Sequence, residues 1–316
     1  MKISFISTVY NEEKTIGWML ESLAKQTRMP DEMIIVDGDS TDSTLSVIFN
    51  FQFSIFNQNT KNKFSKIKIL TKKGNRAVGR NEAIRNATGD IIVCSDAGCQ
   101  LDKDWVKNIV KPFENPKVDV VAGYYAAKPQ SIFQKCLVPY VLVMPDKIDP
   151  KNFLPASRTM AFRKSIWEKV GGFPERYSHN EDYVFAKKLK HIGVNIVFAK
   201  DAIVYWMPRK NLKQAFIMFF RFAFGDAEAR IFRPKVFLIF VRYLFVFFLI
   251  FLLIGFQLYA IRYTLYAMFL LYVTWSVWKN YKYVADWRAI VILPILQITA
   301  DIAVILGTIW GIQHRQ

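Results

Sequence analysis

Cysteine is scarce in this chain. Its 316 residues include three, Cys94, Cys99 and Cys136. The number is odd and the spacings match neither a zinc ligand set nor a paired framework, so reduced thiols in packed interior are expected. Acid is also short, with 26 Asp and Glu against 43 Lys and Arg and a net charge of +17. The stretch KNKFSKIKILTKKGNR, Lys61 to Arg76, holds no acid at all. Such an excess suits an anionic membrane surface at least as well as nucleic acid, and the apolar segments described next favour the membrane, with no nucleic-acid partner. A secretory h-region is missing too. The apolar run after Met1-Lys2 has only the length of a strand, so the N-terminal region is expected to stay cytoplasmic.

The apolar residues, 52% of the chain, are unevenly placed. From about Val236 onward Phe, Leu, Ile, Tyr, Val and Trp dominate. Residues 236–257 carry only Arg242, residues 263–278 no charge, and residues 289–312 only Asp301. A bilayer core of about 30 Å needs roughly 20 apolar residues per helix, so about three transmembrane helices are expected, the middle one short and the last either crossing or re-entrant. A buried all-α domain is disfavoured because these segments leave no polar face. Tyr259, Tyr263, Trp275, Trp278 and Trp310 lie near segment ends, as interfacial aromatics do. The loop 279–288, with Lys279, Lys282 and Arg288, is more basic than 257–262, which puts it in the cytoplasm beside the N-terminal region. Residues 211–235, NLKQAFIMFFRFAFGDAEARIFRPK, mix bulky apolar side chains with Lys213, Arg221, Arg230, Arg233 and Lys235, and read as an amphipathic interfacial helix. Asp301 is costly in lipid and is expected to face another helix.

Residues 1–210 read differently. ISFIS, EMIIVD, KIKIL and DIIVCSD have strand character. Between them, NEEKTIGWMLESLAKQT, DSTDSTLSVIF and RAVGRNEAIRNA have helical spacing or capping signals. Alternation of this kind implies a mainly parallel, Rossmann-like α/β sheet with right-handed crossovers. VDVVAGYY reads as a further strand and 126–156 as irregular. RTMAFRKSIWEKVGGFPERY and NEDYVFAKKLKHIG read as two helices about a Gly-Gly turn, and NIVFAKDAIVYW as a last strand. Ligands of such sheets bind beyond the carboxyl ends of the strands. Three of those ends carry polar clusters: Thr8 to Glu12, Asp37-Gly38-Asp39 and Asp96-Ala97-Gly98.

In order along the chain, STVYNEE, IIVDGDSTDST, GRNEAIRNATGDIIVCSDAG, GGFPE and NED resemble the motif series of family 2 glycosyltransferases, and the tail resembles that of membrane-anchored bacterial members. The resemblance implies a GT-A fold and inverting transfer from a nucleotide-diphosphate sugar, a UDP-sugar first, to a lipid-linked or glycan acceptor at the membrane. It places Thr8, Tyr10, Glu12 and Asp37 at the base, with Asp39 as the alternative acid, and Arg80 towards the nucleotide. Asp96 matches the first acid of the D-x-D motif that holds Mg²⁺ or Mn²⁺, and Gly98 stands where the second acid belongs. Asp182 matches the general base, and Glu181 would orient the acceptor or a neighbouring amide. Segment 157–164 would line the acceptor side, with Trp206 available to stack on a sugar and Arg209 to hold phosphate. The implied domains are 1–210 catalytic, 211–235 interfacial and 236–316 transmembrane, in a multi-pass protein of the cell membrane. A processive polysaccharide synthase would carry Gln-x-x-Arg-Trp before its membrane part, whereas here Gln214 lacks the Arg-Trp pair. A non-catalytic nucleotide-binding scaffold is the other rival, because of Gly98.

Overall fold

The computed structural model describes residues 1–57, 67–256 and 259–314. Residues 61–66 of the basic stretch and residues 257 and 258 of the loop 257–262 lie outside them. The chain folds as two compact units, one of residues 1–128 and 144–207, the other of 129–143 and 208–316.

The first unit begins β1 (Ile3–Val9), α1 (Ile16–Ala24), β2 (Glu32–Asp37), α2 (Thr44–Asn57), β3 (Ile67–Thr71), α3 (Arg76–Asn86) and β4 (Ile91–Cys94). β5 (Cys99–Leu101), α4 (Trp105–Val110) and β6 (Val120–Ala127) follow. β7 (Met160–Arg163), α6 (Lys164–Lys169), α7 (Glu181–His191) and β8 (Ile196–Trp206) complete it. The eight strands form one sheet in the order β3-β2-β1-β4-β7-β6-β8-β5. β3-β2-β1-β4 are mutually parallel. β7 runs antiparallel to both its neighbours, β6 pairs parallel with β8, and β5 closes the edge antiparallel. The sheet is therefore mixed, which corrects the mainly parallel expectation.

The near-continuous apolar runs of β1, β2 and β4 are explained by cover on both faces. On one face Phe5, Ile35 and Val93 pack under Met19, Leu20 and Leu23 of α1, Ile48 of α2 and Trp105 of α4. On the other, Ile6, Ile34 and Phe162 pack under Ala83 and Ile84 of α3 and Phe185 and Leu189 of α7. Residues 160–163, read from sequence as helix, are strand. Ala161 faces the first cluster and Phe162 the second, the period-2 signature of a doubly covered strand. Cys94 and Cys99 are free and buried, and burial pushes both thiols up to about 12, in keeping with inert packing thiols.

The second unit holds α5 (Ile132–Val141), α8 (Leu212–Glu228), α9 (Pro234–Gly255), α10 (Ala260–Val284) and α11 (Ala289–Gln313). α5 falls where irregular chain was expected. Ser131 accepts the N–H of Gln134 and starts the helix despite Pro139. The segment 211–235 is not one helix. α8 ends at Glu228, Arg230 takes a left-handed φ of 56°, and Pro234 opens α9. Asn211 accepts the N–H of Gln214, whose own Oε1 accepts the N–H of Lys210, so Gln214 serves as a cap.

α8 and α11 run side by side in the same direction. A Cβ on Gly307 would stand 2.4 Å from the Phe220 carbonyl oxygen, and one on Gly311 2.5 Å from that of Phe224. This is the small-residue spacing that lets two backbones touch. Gly307→Val is expected to destabilise the detergent-solubilised chain by about 1–3 kcal/mol, read as an earlier thermal transition. Gly255→Val, whose Cβ would meet only the Phe251 ring at 3.9 Å, serves as the tolerated control. Equal transitions for the two variants would show that the helices do not approach so closely.

Among the described residues two helices are long and apolar enough to cross a membrane, α9 and α11. α10, expected as a short span over 263–278, has 25 residues. Its helix continues through Lys279 and Lys282, and its tyrosines and hydroxyls keep it outside that class, so two such helices replace the three expected. Asp301 is buried on α11, as anticipated. It accepts from Tyr272 (2.5 Å) and Gln297 (2.9 Å) and pairs with Arg242 of α9.

Candidate active site

Strand register collects the polar residues on one edge of the sheet. Val9 is level with Asp37, and Cys94, two residues before Asp96, is level with Met160. Because β7 is antiparallel, its leading residues Ser157 and Arg158 reach the same edge as the ends of the parallel strands. So do Tyr125 of β6 and Trp206 of β8.

Asp37 is fully buried. Its Oδ2 accepts the N–H groups of Asp39 (3.0 Å) and Ser40 (2.9 Å). Its Oδ1 is buried and has no hydrogen-bond partner among the described residues. A buried acceptor left without a donor costs free energy and calls for a partner from outside the chain, a water or a ligand. Asp39, the alternative acid, sits at φ 75° and reaches outward to Lys73 at 3.9 Å, both side chains exposed. The loop after β1 is laced to the loop after β2. Asn11 N–H donates to Ser40 Oγ, Thr41 N–H to Asn11 Oδ1, and Glu12 N–H to Thr44 Oγ1. Tyr10 lies beside them, 59% exposed. Glu12 is turned to its own helix and accepts the Thr15 hydroxyl. Thr8 abuts α3, where a Cβ on Gly79 would fall 2.2 Å from its Oγ1; only glycine lets α3 come this close.

Arg80 is 1% exposed. Expected to face the nucleotide, it is instead the buried hub of the site. Nη1 donates to Glu181 Oε1 at 2.6 Å, and Nη2 to Asp96 Oδ1 at 3.1 Å and Ser157 Oγ at 2.9 Å. Glu181, expected to orient an acceptor, is itself buried and bound to Arg80. The helix explains why. Glu181, Phe185 and Leu189 recur at i, i+4, i+8 and share the inward face, where Phe185 stacks on Phe173 at 4.1 Å. Asp182 is one residue further round. Its Oδ2 accepts the Ser157 N–H (3.1 Å) and Oγ (3.3 Å), and its Oδ1 the Tyr183 N–H (2.8 Å). Ser157 Oγ also stands 3.3 Å from Asp96 Oδ1. One hydroxyl thus touches both carboxylates, 86 residues apart in sequence. Burial alone would raise the Asp96 carboxyl, but Arg80, then Arg158 and Arg76, hold it below the usual carboxylate range. Ser157 was legible only as part of a segment, since no spacing rule links it to either acid.

Residues 4–170, just over half of the chain, match the family described as Glycosyl transferase family 2. The chain belongs to glycosyl transferase family 2. As a member it is a glycosyltransferase. It is 27% identical over 234 residues to the O-antigen chain rhamnosyltransferase RfbN of Salmonella typhimurium, covering 68% of this chain and 71% of that one. Among solved structures it resembles the mannosyltransferase PcManGT of Pyrobaculum calidifontis in complex with GDP-Man and Mn²⁺. There the TM-score is 0.54 and the identity 21%, over 74% of this chain and 65% of that one. It also resembles residues 1–349 of S. aureus TarS in complex with UDP-GlcNAc, with TM-score 0.51 and identity 24%, over 71% of this chain and 66% of that fragment. These likenesses fix the fold as GT-A-like.

The family's divalent ion was expected at Asp96. The donor set here does not fit paired carboxylate ligation. Asp96 Oδ1 already accepts from Arg80 and stands 3.3 Å from the Ser157 hydroxyl, and Gly98 supplies no side-chain oxygen in the second position. Among the described residues, no three His, Cys, Asp or Glu side chains converge as a metal group.

Proposed function

We propose that the first unit moves a glycosyl group from a nucleoside-diphosphate sugar, a UDP-sugar first, to the hydroxyl of an acceptor held at a membrane. The observation that carries this reading is the Ser157 bridge. It sets Asp96 and Asp182 side by side on the sheet edge where Asp37 keeps an unused buried oxygen.

In this reading Asp37 Oδ1 accepts a ring N–H of the base, and the exposed Tyr10 ring lies against it. Asp96 lines the sugar-diphosphate end. Asp182, held by Ser157 at the mouth of α7, takes the proton of the acceptor hydroxyl as its oxygen attacks the anomeric carbon from the face opposite the leaving group. The bond to the diphosphate breaks with its electron pair, and the product is inverted. Arg80 and Glu181 act beneath the surface by fixing Asp96 and the first turn of α7, which corresponds to preorganisation of the reacting groups.

The acceptor, lipid-linked or glycan, is assigned to the membrane surface on the strength of α9 and α11 and the basic excess. The catalytic unit is assigned to the cytoplasmic side of a multi-pass chain, with residues 1–210 catalytic, 211–235 at the interface and 236–316 in the membrane. α5 packs with the latter. Gln214 is engaged in capping α8 and no Arg-Trp pair follows it, which disfavours a processive synthase.

The test is a panel of sugar nucleotides scored for protection of the full chain against thermal unfolding, followed by donor-dependent transfer. Asp37→Ala is expected to weaken binding of the selected nucleotide at least about tenfold, the scale of one charge-assisted hydrogen bond. Protection by no sugar nucleotide would sink the reading, and unchanged affinity of Asp37→Ala would sink the base assignment.

A further inference from the structure

Arg158 stands out among the cations of the sheet edge. Its guanidinium carbon lies 5.1 Å from the Tyr125 ring centre and 6.0 Å from that of Trp206. Two aromatic faces thus set its position. Its charge acts on both Asp96 and Asp182. Yet among the described residues the guanidinium donates no hydrogen bond and joins no ion pair. Arg80, by contrast, donates to Glu181, Asp96 and Ser157. A half-buried guanidinium with its planar fork of donors unused, held in place by rings, has the form of a recognition element for a phosphate.

The second observation lies at Gly98. A Cβ built there meets nothing within 4 Å, so the room a second carboxylate would fill is open. Negative charge is missing at this point of the edge, and positive charge is supplied by Arg158 and Arg76. A divalent cation would find Asp96 Oδ1 already bound by Arg80, Asp182 already bound by Ser157 and the Tyr183 N–H, and these guanidiniums close by. A diphosphate would enter a site with complementary charge.

We propose that Arg158 is a catalytic residue that binds the β-phosphate of the donor and neutralises the leaving diphosphate, so that transfer by this chain does not require a divalent metal. The inference rests on the glycosyl-transfer reading above. As the acceptor oxygen bonds to the anomeric carbon and its proton passes to Asp182, the anomeric C–O bond to the β-phosphate breaks. The electron pair stays on the phosphate oxygen, where an Arg158 N–H meets it. Donors aimed at charge that develops in the transition state contribute most to rate.

The experiment uses the full chain in detergent with the donor selected by the nucleotide panel. Transfer is expected to proceed in EDTA within about twofold of the rate in Mn²⁺. Arg158→Ala is expected to lower kcat about 10²–10³-fold, with added guanidinium restoring part of the loss. In titration calorimetry in EDTA, Arg158→Ala should weaken UDP at least about tenfold and leave UMP unchanged, because only the diphosphate reaches the residue. GDP and GMP replace them where the panel selects guanine. Gly98→Asp should create metal dependence that the parent lacks. Transfer by the parent that is lost in EDTA and restored by Mn²⁺ overturns the proposal. So does an Arg158→Ala variant within threefold of the parent, or one that loses UMP and UDP equally. A parent that binds no sugar nucleotide overturns the glycosyl-transfer reading, and this inference with it.

Discussion

Asp182→Asn is expected to lower kcat by about 10²–10⁴, the range for loss of a general base, while the chain still folds and still binds its donor. The geometry separates these effects. An asparagine oxygen can still accept from Ser157 or from the Tyr183 N–H, the contacts that hold the carboxylate now. The structural penalty is then confined to loss of a negative charge in the first turn of α7, about 0.3–1 kcal/mol. Donor affinity should hold because Asp37 and the laced loops after β1 and β2 are untouched. The decisive measurement is single-turnover transfer at saturating donor and acceptor, with nucleotide binding followed in parallel. Turnover within a few-fold of the parent would remove Asp182 as the base. Loss of donor binding together with turnover would show that the side chain supports the cleft instead.

The second large effect is expected at Arg80, and it is chiefly one of stability. Arg80→Ala leaves Glu181 buried with a charge and no partner, a situation that costs about 3–5 kcal/mol and should appear as a markedly earlier thermal or denaturant transition. Arg80→Met with Glu181→Gln removes both charges and should recover most of that loss, since well-packed neutral replacements for a buried pair are close to neutral. Transfer should stay impaired in the double variant, because Asp96 has lost its guanidinium donor. The pH dependence follows from Asp96, whose carboxyl is held low in the folded state. A depressed carboxyl stabilises above its unfolded value, near 3.8, and the contribution disappears as pH falls through the lower folded value. The gap between parent and Arg80→Ala should therefore be full near neutrality and shrink below about pH 4. A gap that does not change with pH, or a double variant no more stable than Arg80→Ala, would remove the ion network as the cause.

The residues that sequence placed best are those whose roles follow from local periodicity. β1, β2 and β4 were visible because doubly covered strands are apolar throughout. Asp37 and Asp96 were visible because a polar residue abruptly ends each run. Glu181 could have been assigned inward by the same arithmetic, being four residues ahead of Phe185 and eight ahead of Leu189. What local periodicity does not show is what arrives from elsewhere in the chain. β7 was read as helix because the helix-forming residues that follow it dominate the window; only its insertion between β4 and β6 makes it a strand. That insertion delivers Ser157 and Arg158 to the edge where the ends of β1, β2 and β4, more than 60 positions earlier, also lie. Arg80 shows the same limit. Its motif suggested a ligand, whereas its partners, Glu181 and Ser157, come from 101 and 77 positions later.

The carboxylate of Asp301 carries a consequence for how the second unit is made. Its partners come from three helices: Arg242 and Tyr243 on α9, Tyr272 on α10, and Gln297 on α11 itself. A nascent chain that has released only α9 and α10 holds a cation and two phenols with no acid to receive them. Completion of α11 supplies the missing charge, so this helix acts as the keystone, and truncations before residue 301 should yield hairpins that quality-control proteases clear quickly.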